Sequence, residues 1–305
     1  MGLGTMRRYR KTRPIQDWEP QQDHVKICHD LAGSTFAWEM NRALELALLR
    51  TFCVPRISAI LRQSGEFLHH PQKRYDDTGL LISNILKWGY DSPQGKAAIA
   101  QMNRIHSRYG IANQDFLYVL SASLCEPVQW NARYGWRPFT EMEKQALFYF
   151  WRAVGERMEI EHLPPTYSAF EQFKATYETE QFRYSPDNAA IGQAVITLMQ
   201  SWFPAAVAAW VPKIANVLID QPMRLALGWA APHPLLVYGV EQGLRLRRWG
   251  VRWLARPRQP EFFADRPTRS YPQGYTIEQL GPDQSTGKEP TSRCPFLRIR
   301  QLLNV

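Results

Sequence analysis

The segment RYDDTGLLISNILKW at 74–88 places polar side chains on what would be the apolar face of a helix. At about 100° per residue, one stripe of that helix contains, in chain order, Arg74, Thr78, Leu81, Ile85 and Trp88. A guanidinium directed into an apolar core costs free energy unless it meets an anion. Arg74 therefore either binds a carboxylate or phosphate, from the protein or from a ligand, or extends its charged end to solvent.

A histidine occupies a comparable position in PQGKAAIAQMNRIHSRY at 93–109. The apolar stripe of this second predicted helix contains Ala98, Met102, Ile105 and Tyr109, and His106 lies at its edge. A neutral imidazole that projects into an apolar cavity can ligate haem iron, while apolar walls keep water from the opposite face. The alternative is a hydrogen-bonded core histidine, and the helical pattern leaves both interpretations open.

Two further groups of ligand-type residues have weaker patterns. His24, Cys28 and His29 lie within six residues of one another, but no second cluster completes a zinc site. His69 and His70 stand directly before a proline, where a helix end and local hydrogen bonding are expected. The sequence contains no GxGxxG, no P-loop motif, no HExxH and no GxSxG, which argues against dinucleotide binding, P-loop hydrolysis, zincin chemistry and α/β-hydrolase chemistry.

Positive charge is concentrated in RLRRWGVRWLARPR at 245–258, which carries six arginines in a chain of net charge +9. Arginine and tryptophan at helical spacing suit a membrane interface, where the rings lie at headgroup depth and guanidinium groups meet anionic lipid. The alternative is the solvated face of a terminal helix. Nucleic-acid binding is not predicted, because no reader motif accompanies the charge.

The elements that must position these residues are helices, since the chain lacks the alternation typical of exposed strands. We predict an all-α fold with one helical domain at 34–255, between a polar, basic N-terminal segment at 1–33 and a proline-rich, largely irregular tail at 256–305. The predicted helices are 34–52, 56–68, 74–88, 93–109, 113–124, 140–158, 166–182, 189–203, 205–220 and 233–254, and Thr140 with Glu143 forms a predicted capping box.

Cellular location is indicated by what the chain lacks. The first thirteen residues are basic but no apolar stretch follows, so no secretory signal is predicted, while a mitochondrial transit peptide stays open. The uncharged run at 188–212 contains Pro204 and Pro212 and is predicted as buried helices rather than as a membrane span. Four cysteines without a CxxC motif favour a reducing compartment. We expect a cytoplasmic or peripheral membrane location.

Several segments, in one linear order across roughly residues 35–281, resemble the family of MpaB-type oxygenases and latex-clearing (rubber) oxygenases, and especially its MpaB branch. These segments are RYDDTGLLISNILKWGY at 74–90, MNRIHSRYG at 102–110, DFLYVLSASLCEPVQW at 115–130, YGWRPFTEMEK at 134–144, GERMEIEHLPPTY at 155–167 and YPQGYTIEQLG at 271–281.

The resemblance implies a globin-like helical core that holds haem b, with His106 as the proximal ligand of the iron. The family's Arg-x-x-x-Thr pair near the haem maps onto Arg74 and Thr78, so a haem propionate is a candidate for the anion that Arg74 requires. The rubber-cleaving branch has a lysine directly before that threonine, whereas this sequence has Asp77.

The implied function is haem-dependent cleavage of a C=C bond in a hydrophobic, isoprenoid-type substrate, with dioxygen as co-substrate and two carbonyl fragments as products. Arg74 would hold haem or polarise the pocket, and Thr78 would pack or form a hydrogen bond nearby. The alternative is a non-catalytic helical protein that binds lipid or another hydrophobic ligand at a membrane surface, with His106 structural. A third hypothesis keeps haem for sensing or redox chemistry.

Overall fold

The computed structural model describes residues 18–254 and 259–282, and these residues form helices and turns without a strand. The α-helices are α1 (Pro20–Asp30), α2 (Ala37–Thr51), α3 (Pro55–Ser64), α4 (Glu66–His69), α5 (Pro71–Trp88), α6 (Pro93–His106), α7 (Asn113–Tyr134), α8 (Glu141–Arg157), α9 (Tyr167–Gln181), α10 (Pro186–Gln200), α11 (Ala205–Ala208), α12 (Val211–Leu218), α13 (Gln221–Leu227) and α14 (Pro234–Leu254). A π-helical turn at Leu31–Thr35 precedes α2, and 3₁₀ turns lie at Phe263–Asp265 and Ile277–Gln279. The predicted all-α class is confirmed.

Capping side chains determine where several helices begin. Thr140 Oγ1 accepts from the backbone N–H of Glu143 at 3.2 Å, and the Glu143 carboxylate accepts from the N–H of Thr140 at 2.7 Å. The predicted capping box at the start of α8 is therefore confirmed. Ser92 caps α6 in a similar way and is followed by a proline at the first helical position, which is preorganised for a helix.

Other boundaries differ from the predictions for local reasons. The predicted helix at 56–68 is two helices, because Gly65 adopts a left-handed conformation with φ of 73° and ends α3. The helix predicted to end near residue 124 continues through Pro127 to Tyr134, and the extension buries Trp130. The region predicted as one helix at 205–220 is divided into α11 and α12.

Two predictions of burial are wrong. Trp88 belongs to the predicted buried stripe of α5, yet it is the last residue of that helix and 47% exposed, with the Lys87 ammonium over its ring. Within the 188–212 run, α10 buries one side, but α11 has no buried residue and Val207 and Trp210 are exposed. No helix within the described ranges is both long and apolar enough to cross a membrane.

The core forms where helices pack in pairs, α2 along α7, α1 along α8 and α5 along α6. The sequence pattern predicts no helix before residue 34, but α1 and the turn after it bury Ile27, Cys28 and Leu31. The basic first thirteen residues, positions 255–258 and the tail beyond 282 lie outside the described residues. The division of the chain at 33 and 255 stays a prediction.

The described part of the tail, 259–282, is largely irregular, as expected, but it packs onto the helices. The Phe263 ring lies where a side chain at Gly79 would stand, so glycine allows this close contact with α5. Leu280 is buried, and its carbonyl accepts a hydrogen bond from Gln101 on α6. Lys73 on α5 donates to the carbonyl of Gly281. The tail is therefore fixed across α5 and α6.

A buried ion-pair network joins four elements around Arg50 on α2. The guanidinium contacts Glu178 on α9 at 2.7 Å, Asp220 before α13 at 2.7 Å and Glu126 on α7 at 3.3 Å. Lys174 on α9 contacts Glu126 at 2.7 Å. These carboxylates hold the pKa of Arg50 above its usual value although burial acts in the opposite direction. Removing one partner would leave carboxylates buried without compensation.

We expect Arg50→Met to lower the free energy of unfolding by about 3–5 kcal/mol, as found when a buried ion pair loses one member. Chemical denaturation of the purified protein measures this loss. The matched control is Arg152→Met, which removes the 3.5 Å pair with Glu156 between partly exposed side chains and should cost less than about 1 kcal/mol. Equal losses in the two variants would contradict a special role for the network.

Candidate functional site

Arg74, Thr78 and His106, the three residues singled out by the sequence, all line one cavity of about 220 Å³. Arg74 and Thr78 lie one turn apart on α5, and His106 is the last residue of α6. The remaining wall is mainly apolar and comes from helices α2 to α8, with Glu66, Asp77 and Asp115 among the lining residues. Because α5 and α6 pack against each other, their polar residues meet at the same cavity.

The His106 imidazole is neutral and has an unpaired nitrogen. Its Nδ1 atom is shielded from solvent and has no hydrogen-bond partner among the described residues. The ring lies beside Phe116, with 5.2 Å between centroids. Burial, reinforced by the positive charge of Arg74, lowers the pKa of His106 to about 4. An unprotonated, unpaired imidazole in an apolar cavity is suited to ligate a metal centre.

The Arg74 guanidinium lies in the cavity without a salt bridge to any described residue. Its Nη1 donates to Thr78 Oγ1, which in turn donates to the Arg74 carbonyl at 3.0 Å. The guanidinium carbon is 5.3 Å from the centre of the Phe67 ring. Burial lowers the pKa of Arg74, and the more distant charge of Asp77 offsets part of that effect. The site therefore has room for an anion beside an incompletely compensated cation.

A second cavity, of about 160 Å³, adjoins the first. Both are bordered by Leu48 and Thr51 of α2, Thr78 and Ile82 of α5, and Val119 and Ser123 of α7. Each cavity alone is smaller than the roughly 300–1,000 Å³ typical of small-molecule sites, so a ligand of ordinary size would extend through both. We call the cavity with His106 the inner cavity and its neighbour, bounded by α2, α5 and the tail, the side cavity.

Sequence reasoning missed the polar residues of the side cavity. Tyr75 on α5 donates to Glu45 Oε1 on α2 at 2.6 Å, and both residues line the cavity. The two residues are thirty positions apart in the sequence, and no sequence motif predicts that α2 and α5 bring them together. The tail is a further unpredicted contributor, since Gly281 and Pro282 form part of the wall of the inner cavity.

The weaker candidates have local roles. His24 bonds to the Gln21 carbonyl at 2.8 Å and to the Tyr90 hydroxyl at 2.5 Å. His29 donates to the Lys87 carbonyl at 2.8 Å, and Cys28 is buried with its thiol pKa raised by burial. Within 18–254 and 259–282 no three His, Cys, Asp or Glu side chains are grouped as a metal site.

The candidate site is thus an apolar cavity between α5 and α6 of a helical fold. Comparison with known proteins identifies the class of protein to which this fold and site belong. The chain belongs to the family described as ER-bound oxygenase mpaB/B'/Rubber oxygenase, catalytic domain, which matches residues 39–256. This range includes Arg74, Thr78 and His106. The chain therefore belongs to a family of oxygenases, as its sequence segments predict.

Individual relatives support this assignment. The ER-bound oxygenase mpaB' of Penicillium brevicompactum is 22% identical to this chain, over 96% of the chain and 89% of the relative. The ER-bound oxygenase mpaB of the same fungus is 26% identical, over 77% of the chain and 65% of the relative. The ER-bound oxygenase mpaB of Penicillium roqueforti (strain FM164) is 30% identical, over 50% of the chain and 53% of the relative.

If His106 serves function rather than stability, its replacement by an apolar residue should not lower the free energy of unfolding. In protein purified without added cofactor, we expect His106→Leu to raise the free energy of unfolding by about 1 kcal/mol, because an unpaired polar group leaves an apolar cavity. His29→Leu removes the hydrogen bond to the Lys87 carbonyl and should lower the free energy of unfolding by about 1 kcal/mol. Urea denaturation measures both, and a comparable loss in the two variants would identify His106 as a structural residue.

Proposed function

We propose that this protein is a haem b-dependent oxygenase that uses dioxygen to cleave a C=C bond of a hydrophobic, isoprenoid-type substrate. The observation that carries the proposal is the inner cavity itself, in which a neutral His106 with an unpaired Nδ1 and an Arg74 without a salt bridge to any described residue are enclosed by mainly apolar walls. Membership of an oxygenase family supports the use of dioxygen.

The residues present fit a haem. His106 would bind the iron, since its pKa of about 4 keeps the imidazole unprotonated at neutral pH. Arg74 would pair with a propionate, which would provide the direct salt bridge that the more distant Asp77 and Glu66 do not form. When bound, haem b supplies the redox-active iron that dioxygen chemistry on an unactivated alkene requires.

The chain's own residues would bind and orient the alkene. The apolar side chains of α3 and α7 exclude water and hold a hydrocarbon by burial of its surface. Thr78, which borders both cavities, fixes the Arg74 guanidinium in the inner cavity through a hydrogen bond. Both atoms of dioxygen end in the two carbonyl products, so the cleavage needs no separate reductant.

We expect His106→Ala to lose bound haem and alkene cleavage together. Protein from haem-supplemented cells is examined by visible absorption before and after dithionite and carbon monoxide, and fragments are then sought after incubation with isoprenoids under oxygen. A Soret band that shifts with carbon monoxide indicates an accessible sixth position on the iron. The control is His233→Ala at an exposed position, which should keep haem and activity. Full haem content with normal turnover in His106→Ala would contradict the ligand assignment.

The second candidate is a non-catalytic protein that binds lipid or another hydrophobic ligand at a membrane surface. It is favoured by the apolar cavities and by α14, which has no buried residue. The same spectrum separates the candidates, because a colourless protein that fails to take up added haem would support the binding function. Haem without oxygen-dependent cleavage would instead support sensing or redox chemistry.

Either function is compatible with peripheral membrane contact, which we propose for α14. Five large side chains on one face of this helix are 44% to 75% exposed, namely Leu235, Tyr238, Leu246, Trp249 and Trp253. We call this set the α14 stripe. Arg245, Arg248 and Arg252 lie beside it, where they could meet anionic headgroups. Arg247 points the other way and anchors α14 to α2 through Glu39 at 2.8 Å.

Co-flotation with vesicles of phosphatidylcholine and phosphatidylserine at low salt tests the stripe. We expect the wild-type protein to float with the vesicles. The double variant Trp249→Ala/Trp253→Ala should partition about tenfold less, because it lacks the two indoles that would be buried in the membrane interface. Trp88→Ala, which removes an exposed indole on α5, is the control and should float normally. Wild-type protein that stays entirely in the soluble fraction would contradict membrane contact.

A further inference from the structure

The walls of the side cavity are mostly apolar, with several polar side chains among them. Met40, Leu44 and Leu48 of α2 face Ile82 and Leu86 of α5 across it, and Phe262 and Phe263 of the tail contribute to its wall. At the junction with the inner cavity stand Thr78 and Ser123. The polar lining includes Glu45, Tyr75 and the exposed Asn41. A ligand in this space would therefore meet mainly hydrocarbon, with the Glu45–Tyr75 pair as a polar contact.

One carboxylate oxygen of Glu45 has no hydrogen-bond donor among the described residues. Its Oε1 accepts from Tyr75 at 2.6 Å and from Arg42 Nη2 at 2.6 Å. Its Oε2 accepts no hydrogen bond from the described residues, although the side chain is only 14% exposed. Trp202 stacks at a tilt on Tyr75, with 4.8 Å between ring centres, and so fixes the phenol that orients the carboxylate. The acceptor is thus held in place rather than free to turn to solvent.

The chemistry of this acceptor selects the group that could satisfy it. An ionised carboxylate only accepts hydrogen bonds, so its partner must carry an O–H or N–H. Arg42 already balances the charge, so a neutral donor suffices and a second cation is not required. A ligand end without a donor, such as an ether or a hydrocarbon, would displace water from Oε2 without replacing its hydrogen bond, which is unfavourable. Burial also raises the pKa of Glu45, in line with a weakly solvated carboxyl.

We propose that the side cavity binds the polar end of an amphiphilic alkene, with a neutral hydroxyl or amide N–H donating to Glu45 Oε2 and the apolar chain extending towards Thr78. The inference rests on the proposed function in one respect, that the ligand is an alkene substrate. Glu45 is then a positioning residue. By fixing one end of the chain, it determines which C=C bond reaches the inner cavity.

A structural role for Glu45, limited to joining α2 and α5, makes a different prediction. In that case removal of the carboxylate would weaken binding of all ligands alike, or only lower stability. Recognition of an end group instead changes the ratio of affinities between ligands that differ only at that end. The ratio is therefore the readout that separates the two roles.

The test compares farnesol with farnesyl methyl ether, which share one apolar chain and differ by a hydroxyl donor. Dissociation constants are measured by calorimetry under argon, so that no turnover occurs, on the protein as purified from haem-supplemented cells. We expect wild-type protein to bind the alcohol about tenfold more tightly than the ether, the usual effect of one hydrogen bond to a charged group. Glu45→Leu should bring the ratio close to one. Glu45→Gln keeps an acceptor without the charge and should give an intermediate ratio.

The control is Glu141→Leu, which removes an exposed glutamate that pairs with Lys144 at 2.7 Å and lines neither cavity. It should leave the ratio unchanged.

A ratio of one in the wild-type protein, or a wild-type ratio in Glu45→Leu, overturns the inference. If Glu45→Leu does not fold, the wild-type and Glu45→Gln ratios decide in the same way. A preserved ratio in a protein without oxygenase activity would sink only the proposed function, whereas cleavage without end-group preference would sink only the inference.

Discussion

The contacts of Arg50 hold together helices that are far apart in the sequence. Its guanidinium meets carboxylates from α7, α9 and the start of α13, and Lys174 completes the balance of charge. Since α2 also packs along α7 and both helices border the two cavities, this network fixes the position of this pair of helices. A guanidinium taken out of water is tolerated here because several anions surround it. By the same rule Arg74 is exceptional, because it lies in the interior without a salt bridge to any described residue.

Arg74 has only the hydroxyl of Thr78 and the face of Phe67 as close partners among the described residues. His106, across the cavity, is left with an unpaired nitrogen. Each arrangement costs free energy unless a ligand supplies the missing partner, and natural proteins keep such costs mainly where binding or catalysis requires them. A propionate beside Arg74 and a metal beside His106 would satisfy both groups at once. The apolar walls then determine that the remaining space accepts hydrocarbon.

The sequence predicted most helices because their signals are local. Thr140 and Glu143 specify the start of α8 within four residues, and the periodicity of α5 and α6 places Arg74 and His106 on inward-facing sides. Their meeting at one cavity came from the family resemblance, since spacing says nothing about which helices pair. Helix α1 was missed because its few buried residues stand among polar ones. Glu45 and Tyr75 were missed because their contact depends on how α2 and α5 lie on either side of the side cavity, which no local sequence signal specifies.

The wall formed by Gly281 and Pro282 has a consequence for the order of assembly. Synthesis runs from the N-terminus, so α5, α6 and α7 leave the ribosome well before the residues that complete the enclosure of the inner cavity. On a growing chain the helices that carry Arg74 and His106 are therefore present before this part of the wall. Lys73 and Gln101 then fasten the tail across α5 and α6. The inner cavity therefore reaches its final form only after the last described residues have been synthesised.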